Sequence, residues 1–278
     1  MSHEALREAI DRLAGMSEPH RDEARAAVDA LLDALEQGSI RAAEPTAGGW
    51  IVNPWVKRGV LLAFRCGVNV TVAAPPFYFR DRDTLPPQDP SRGGRDVRVV
   101  PGGSTVRRGA FLAEGVIVMP PAFVNVGAHV GAHTMIDSHA LVGSCAQIGA
   151  RVHLSASVQV GGVLEPPGAM PVIIEDDAFI GGGCGLYEGT RVGRGAVLAP
   201  GVVLTRGVTL YDTVRECTIG AVASGVLEVP ERAVVVPGSR PAGSPWARSF
   251  GLSLYAPVIV KYRDAATDAA AALEEGLR

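Results

Sequence analysis

The sequence predicts a mainly β protein centred on a parallel β-helix. A small α-helical or α+β domain precedes the helix, and a strand-and-helix extension follows it. Three observations carry this reading. An aliphatic residue falls at every sixth position from Val100 through Val106, Leu112, Val118, Val124, Val130, Ile136, Val142, Ile148 and Leu154 to Val160. The series resumes at Ile174 and runs through Ile180, Leu186, Val192, Leu198 and Leu204 to Leu210. The residue two before is usually small, as at Ala110, Ala122, Ala140, Ala146, Ala178, Cys184 and Ala196. The residue after is often glycine, as at Gly131, Gly143, Gly149, Gly161, Gly181 and Gly193. A period of six fits neither an α-helix nor a simple amphipathic strand. It fits three short strands closing one triangular coil of roughly 18 residues, each coil stacked on the next. The aliphatic side chain points into the prism, the small residue fits beside it, and the glycines mark corners where tight turns call for positive φ.

The elements follow in order. Residues 1–97 form the N-terminal domain. Residues 4–37 carry two helical stripes, Leu6, Ile10, Leu13 and then Ala27, Leu31, Leu32, Leu35, broken near Ser17–His20. Gly38 suits a helix C-terminus. A short strand over Ser39–Ala43, a turn at Ala47–Gly49 and a third helix near 54–65 come next. Residues 80–95 are polar and rich in Pro and Gly, as a connecting loop is. The solenoid spans 98–241. Its repeat is broken by GVLEPPGAMP (162–171), a loop thrown out between coils, and such excursions tend to carry function. A second excursion follows Tyr211 and Asp212, and one further coil takes in VVVPGSRP (234–241). The extension, 242–278, holds a strand over 253–264 and a terminal helix.

Composition bounds the function. The 278 residues are 47% hydrophobic and 20% charged, enough for a sizeable core. A net charge of -3 lacks the basic footprint of a nucleic-acid binder. No apolar run is long enough to span a bilayer, and the first residues carry acids and no apolar signal core, so a cytoplasmic protein with no membrane partner is expected. Cys66, Cys145, Cys184 and Cys217 form no CxxC pair and no zinc-like spacing with histidine. Buried reduced thiols and no metal are the expectation.

Several blocks are more specific than the period. They include LLDALEQGSIRAAE (31–44), WVKRGVLLAFR (55–65) and FRDRD (79–83) ahead of the solenoid. Within it stand RVVPGGSTVRRGAF (98–111), TMIDSHALVGSCAQIG (134–149), GGVLEP (161–166) and PVIIEDDAFIG (171–181), and LYAPVIVK (254–261) closes the set. Through these blocks the chain resembles the tetrahydrodipicolinate N-succinyltransferase family of hexapeptide-repeat acyltransferases over nearly its whole length. The resemblance implies a left-handed coil and a homotrimer with each active site between two subunits. It also implies an acyl-CoA co-substrate, succinyl-CoA or acetyl-CoA, lying along the coils. The implied reaction transfers a succinyl group to the amine of a ring-opened dicarboxylic amino acid, in the lysine (diaminopimelate) pathway.

An amine attacking a thioester must be neutral and aimed, and it needs a proton acceptor and donors for the developing oxyanion. The resemblance matches the family's acid to Asp137, which follows inward-facing Ile136 and so should point out of the prism. It matches the family's glycine pair, whose backbone groups take part, to Gly161 and Gly162. Ser144, in the same block as Asp137, is a further candidate for holding substrate or cofactor. The chain departs from the family at 181–189, GGGCGLYEG, where relatives read GARSEVVEG. The family's second acid therefore aligns with Gly185, and Glu188 aligns with a different glutamate. His139 replaces a tryptophan. Two residues from Asp137 on a strand, it would share a face with it and could serve as a replacement base; an exposed or interface histidine is the other reading. Lys261, with Arg240, Arg248 and Arg263, could meet CoA phosphates. These changes raise two alternatives. One is a paralogue acylating a related amino acid in specialised metabolism, as in tabtoxin-type pathways. The other is a non-catalytic β-helix binding subunit.

Overall fold

The computed structural model describes residues 2–264 except Pro76, Ala223 and Ser224. Three helices open it: α1 (His3–Gly15), α2 (Arg21–Glu36) and α3 (Pro54–Cys66). The Ser2 hydroxyl caps α1 by accepting from the Ala5 amide at 3.2 Å. Pro54 opens α3, where its missing N–H costs nothing. The two stripes read in the sequence meet α3 in one cluster that includes Leu6, Ile10, Leu13, Leu31, Val60 and Leu62. Gly59 is what lets α3 approach: a Cβ there would stand 2.2 Å from Leu31 Cδ2. Val126 and Cys145 of the solenoid join the same cluster, so the helices are docked on the prism rather than hung beside it.

Two hairpins lie among these helices. The first pairs Ala43–Thr46 with Gly49–Val52. Its leading strand starts later than Ser39–Ala43, because the Ser39 amide and hydroxyl still donate to the Ala34 carbonyl at the end of α2, both at 3.1 Å. The second hairpin, Asn69–Ala74 with Phe77–Arg82, replaces the first part of the expected loop. Both of its faces stay wet (Val72 is 47% exposed on one and Tyr78 73% on the other), so it offered no alternating burial to read.

The solenoid is three parallel sheets made mostly of two-residue strands. The first face stacks Val118, Ile136, Leu154, Ile180 and Leu198; the second, Val106, Val124, Val142, Val160, Leu186 and Leu204; the third, Leu112, Val130, Ile148, Ile174 and Val192. Every sixth-position aliphatic from Val106 to Leu210 lies in one buried cluster. Val124 pairs with Val142, a step of 18 residues, whereas Val160 pairs with Leu186 and Leu198 with Val235. The longer steps are the two excursions, each looped out without disturbing the stack.

The glycines after the aliphatics do not supply positive φ. A Cβ on Gly143 would lie 2.2 Å from Gly162 N, and one on Gly149 2.4 Å from Asp176 N. Their reason is the close approach of the next coil's backbone. Positive φ falls instead three residues after most of the aliphatics, for example at Gly109, Gly115 and Gly127 and at the non-glycines His133, His139, Cys145, Arg151, Ser157 and Asp177.

The C-terminal segment differs from expectation. A short helix, α4 (Pro245–Ser249), precedes two strands, Ser253–Tyr255 and Val258–Tyr262, in place of one. Pro257, which lacks an N–H donor, stands between them. Val258–Tyr262 enters the first face between Leu210–Asp212 and Ala233–Val236. The expected terminal helix lies outside the described residues. Cys66, Cys145 and Cys184 are buried as read; Cys217 is exposed, because it sits on the hairpin of the second excursion. Among the described residues no helix is long and apolar enough to cross a membrane.

Candidate active site

The edge between the second and third faces carries most of the candidate residues in successive coils. Ser144 is buried, and its carbonyl accepts from the Val163 amide at 3.2 Å. Gly162 lies directly over it, where a Cβ would meet Ser144 N at 2.7 Å. The loop leaving this edge is fastened to the helices. Lys57 of α3 is fully buried and donates from Nζ to the Ala169 carbonyl at 2.5 Å. Burial pushes the Lys57 ammonium below its ordinary pKa, and burial also pushes the neighbouring Cys145 thiol up to about 12. This thiol stays protonated and is a packing group. Glu188, one coil further, is half-buried and pairs with Arg206 at 3.5 Å.

Tyr187 organises this edge, and the sequence reading missed it. Gly185 is buried on the second face, and a Cβ there would stand 2.7 Å from Tyr187 Cε2 and 3.0 Å from its hydroxyl oxygen. A Cβ on Gly161 would stand 3.2 Å from Tyr187 Cδ1. The ring therefore crosses both glycines and fills the space into which a side chain at 185 would grow. Its 41% exposure leaves the phenol in reach of a ligand. The signal was present as an aromatic residue two positions after the glycine that displaces an acid.

Asp137 and His139 occupy the edge between the first and second faces. Asp137 is half-buried; its Oδ1 accepts from the Ser138 amide at 2.6 Å, and its own amide donates to the Leu154 carbonyl at 2.9 Å. His139 is not on a strand. The strand ends at Ile136, and His139 is exposed in the following turn with φ 63°. The shared-face argument therefore fails, and no hydrogen bond joins the two side chains. Gln159 ties the edges together: its side chain donates to the His139 carbonyl at 3.3 Å, and its backbone pairs with Gly185.

The basic candidates divide. Lys261 is exposed on the last strand of the first face, with Nζ 3.4 Å from Asp264. Arg240 and Arg248 are exposed. Arg263 donates from Nη1 to the Asp177 and Gly195 carbonyls at 3.0 and 3.2 Å, which ties it to the coils. Among the described residues no group of three or more His, Cys, Asp or Glu is placed to hold a metal.

One protomer thus offers an acid on one edge of its second face and a glycine shelf under an aromatic ring on the other. The acid can accept a proton, and the shelf can offer the Gly162 backbone N–H and a phenol, since the Gly161 N–H donates to the Leu186 carbonyl at 2.7 Å. A family model described as "Tetrahydrodipicolinate N-succinyltransferase N-terminal" matches residues 3–66, and one described as "Hexapeptide repeat of succinyl-transferase" matches 171–206. The 2,3,4,5-tetrahydropyridine-2,6-dicarboxylate N-succinyltransferase of Rhodopseudomonas palustris is 44% identical over 277 residues, covering 97% of this chain and 95% of its own. The protein of that name from Paramagnetospirillum magneticum is 44% identical over 291 residues, covering 100% of both chains. The one from Ralstonia nicotianae is 45% identical over 263 residues, covering 92% of this chain and 90% of its own.

Proposed function

Because the chain belongs to the tetrahydrodipicolinate N-succinyltransferase family, we propose that it is an acyl-CoA-dependent N-acyltransferase of the diaminopimelate branch of lysine synthesis. Its reaction moves the succinyl group of succinyl-CoA onto the amine of ring-opened tetrahydrodipicolinate. The full-length identity carries this reading. The amine attacks the thioester carbonyl, its proton passes to Asp137, the carbon–sulfur bond breaks, and the proton returns from Asp137 to the leaving sulfur to release the CoA thiol. The Gly162 backbone N–H is the proposed donor to the oxyanion, because the Gly161 N–H already donates to the Leu186 carbonyl at 2.7 Å. We further propose a cytoplasmic homotrimer in which the Asp137 edge of one protomer faces the Tyr187 edge of the next. Two exposed apolar surfaces support it. One is the tip of the hairpin at Phe77 and Phe79. The other is the strip of Trp246, Phe250, Leu252 and Leu254 near the C-terminus.

One observation favours a second reading, a changed acceptor. The Tyr187 ring covers the position of the family's second acid, so a charged group that would hold the acceptor is replaced by a phenol. Thiol release from succinyl-CoA with tetrahydrodipicolinate, set against other amino-dicarboxylic acids, separates the two. Ordinary turnover with tetrahydrodipicolinate supports the lysine-pathway reaction. Turnover only with a different amine supports the changed acceptor, and none with any amine removes both.

A further inference from the structure

The hairpin of residues 43–52 and the third face enclose a cleft of about 440 Å³, away from the edges just described. Arg41, Trp50, His129, Glu175, Asp176 and Arg191 line it; Asp137, Gly162 and Tyr187 do not.

Most of the charge in its wall is already matched. Glu175 accepts from the Trp50 indole at 3.0 Å, from Arg191 at 2.7 Å and from the Arg194 amide at 3.1 Å. These contacts and the Arg191 charge outweigh burial and hold Glu175 below the usual carboxylate range. Asp176 accepts from the Ala150 amide at 2.9 Å and from Arg194 at 3.3 Å.

Arg41 is outside this network. Its Nε donates to the neutral Gln147 amide at 2.9 Å, and its guanidinium lies 5.5 Å from the centre of the Trp50 ring. Among the described residues no carboxylate comes within ion-pairing distance of it, and burial weighs against its charge more than Glu44 and Asp176 support it. His129 stacks on Phe111 at 4.5 Å, and its Nδ1 is buried with no hydrogen-bond partner. Burial and the Arg41 charge keep the ring neutral, with a pKa of about 3. A guanidinium drawn out of water beside neutral groups is costly unless a counter-ion arrives. Its two terminal nitrogens remain open as a planar fork, the geometry that matches a carboxylate.

We propose that this cleft is a second ligand site, which takes a small carboxylate-bearing molecule with its carboxylate on the Arg41 fork and its body against Trp50. Phosphate shares the fork geometry, but a dianion there would face Glu175, Asp176 and Glu231 in the same small space. A monocarboxylate avoids most of that repulsion.

Titration of the full chain with acetate, propionate or inorganic phosphate, followed by tryptophan fluorescence, tests this. Acetate or propionate should quench saturably in the wild type, and Trp50→Phe should remove the signal. Arg41→Met should weaken binding by about ten- to a hundredfold, the range expected for a lost charge-assisted pair. Arg41→Lys, which keeps the charge without the fork, should also lose most of the affinity and carries the test if the methionine variant does not fold. Overturning results are no saturable response to either carboxylate, tighter binding of phosphate, or full affinity retained in Arg41→Lys.

Discussion

Asp137 and His139 are neighbours in sequence and unequal in setting. The carboxylate is half-buried and held by the Ser138 amide; the imidazole is exposed at a turn. In the proposed reaction Asp137 is the proton acceptor, and Asp137→Ala is expected to lower turnover by roughly 10²–10⁴, the usual contribution of a general base. His139→Ala should change turnover by no more than a few-fold, and steady-state kinetics of the two variants decides between them. Comparable loss in both would restore the histidine as a base. Gly185 and Tyr187 make a coupled pair. Gly185→Glu alone drives a Cβ to 2.7 Å from the ring and should lower the melting temperature. Adding Tyr187→Val should recover most of that loss, because groups in contact are not additive. The double variant is also the fair test of whether an acid at 185 improves use of tetrahydrodipicolinate. An additive melting result would show that the ring does not occupy that space.

The strand Val258–Tyr262 is the element that closes the first face, and one residue latches it. Asp212 is 2% exposed, accepts from the Val214 and Arg215 amides at 3.0 Å each, and accepts from the Tyr262 hydroxyl at 2.6 Å. Burial works against its charge, but the Tyr262 hydroxyl and the two amides outweigh burial and hold its pKa below the usual carboxylate range. A depressed folded pKa contributes stability that is present above the unfolded value, near 4, and is lost as pH falls through the folded value. Melting temperature should therefore fall as pH drops below about 4, less steeply in Asp212→Asn. At neutral pH that variant should cost about 1.5–3 kcal/mol, the range for a hydrogen bond to a charged group. A wild-type slope unchanged in the variant would place the acid sensitivity elsewhere. At this scale the sequence was uneven. The coils were legible because each buries the same two positions every six residues. The hairpin at 69–82 was not, because nothing packs on either face. The break at Pro257 was visible as a residue, but its consequence depended on which strands it would lie between.

Across the whole molecule, the acid and the shelf lie on opposite edges of one face, so in the proposed trimer each chain contributes halves of two different sites. Light scattering is expected to give three chains per particle at micromolar concentration. Charge or bulk placed on the exposed strip, as in Phe250→Glu, should shift the particle toward monomer and lower activity together with size. A stable, fully active monomer would show that the site is complete within one chain.

The sequence by itself determined the architecture: the period of six, the buried aliphatics, the two helical stripes and the place of both excursions. Local burial repeats at fixed spacing, so each signal is carried within a few residues. It also placed Asp137 outward and marked Gly185 as the departure. Tertiary structure alone decided why the corner glycines are glycine, that His139 stands at a turn, that Lys57 fastens the loop, and that Tyr187 lies over Gly161 and Gly185. Several of those are contacts between residues of different coils or of coil and helix, for example Tyr187 with Gly161 and Lys57 with Ala169, 112 positions apart. Stacking brings such pairs together, and no spacing within a single repeat encodes them.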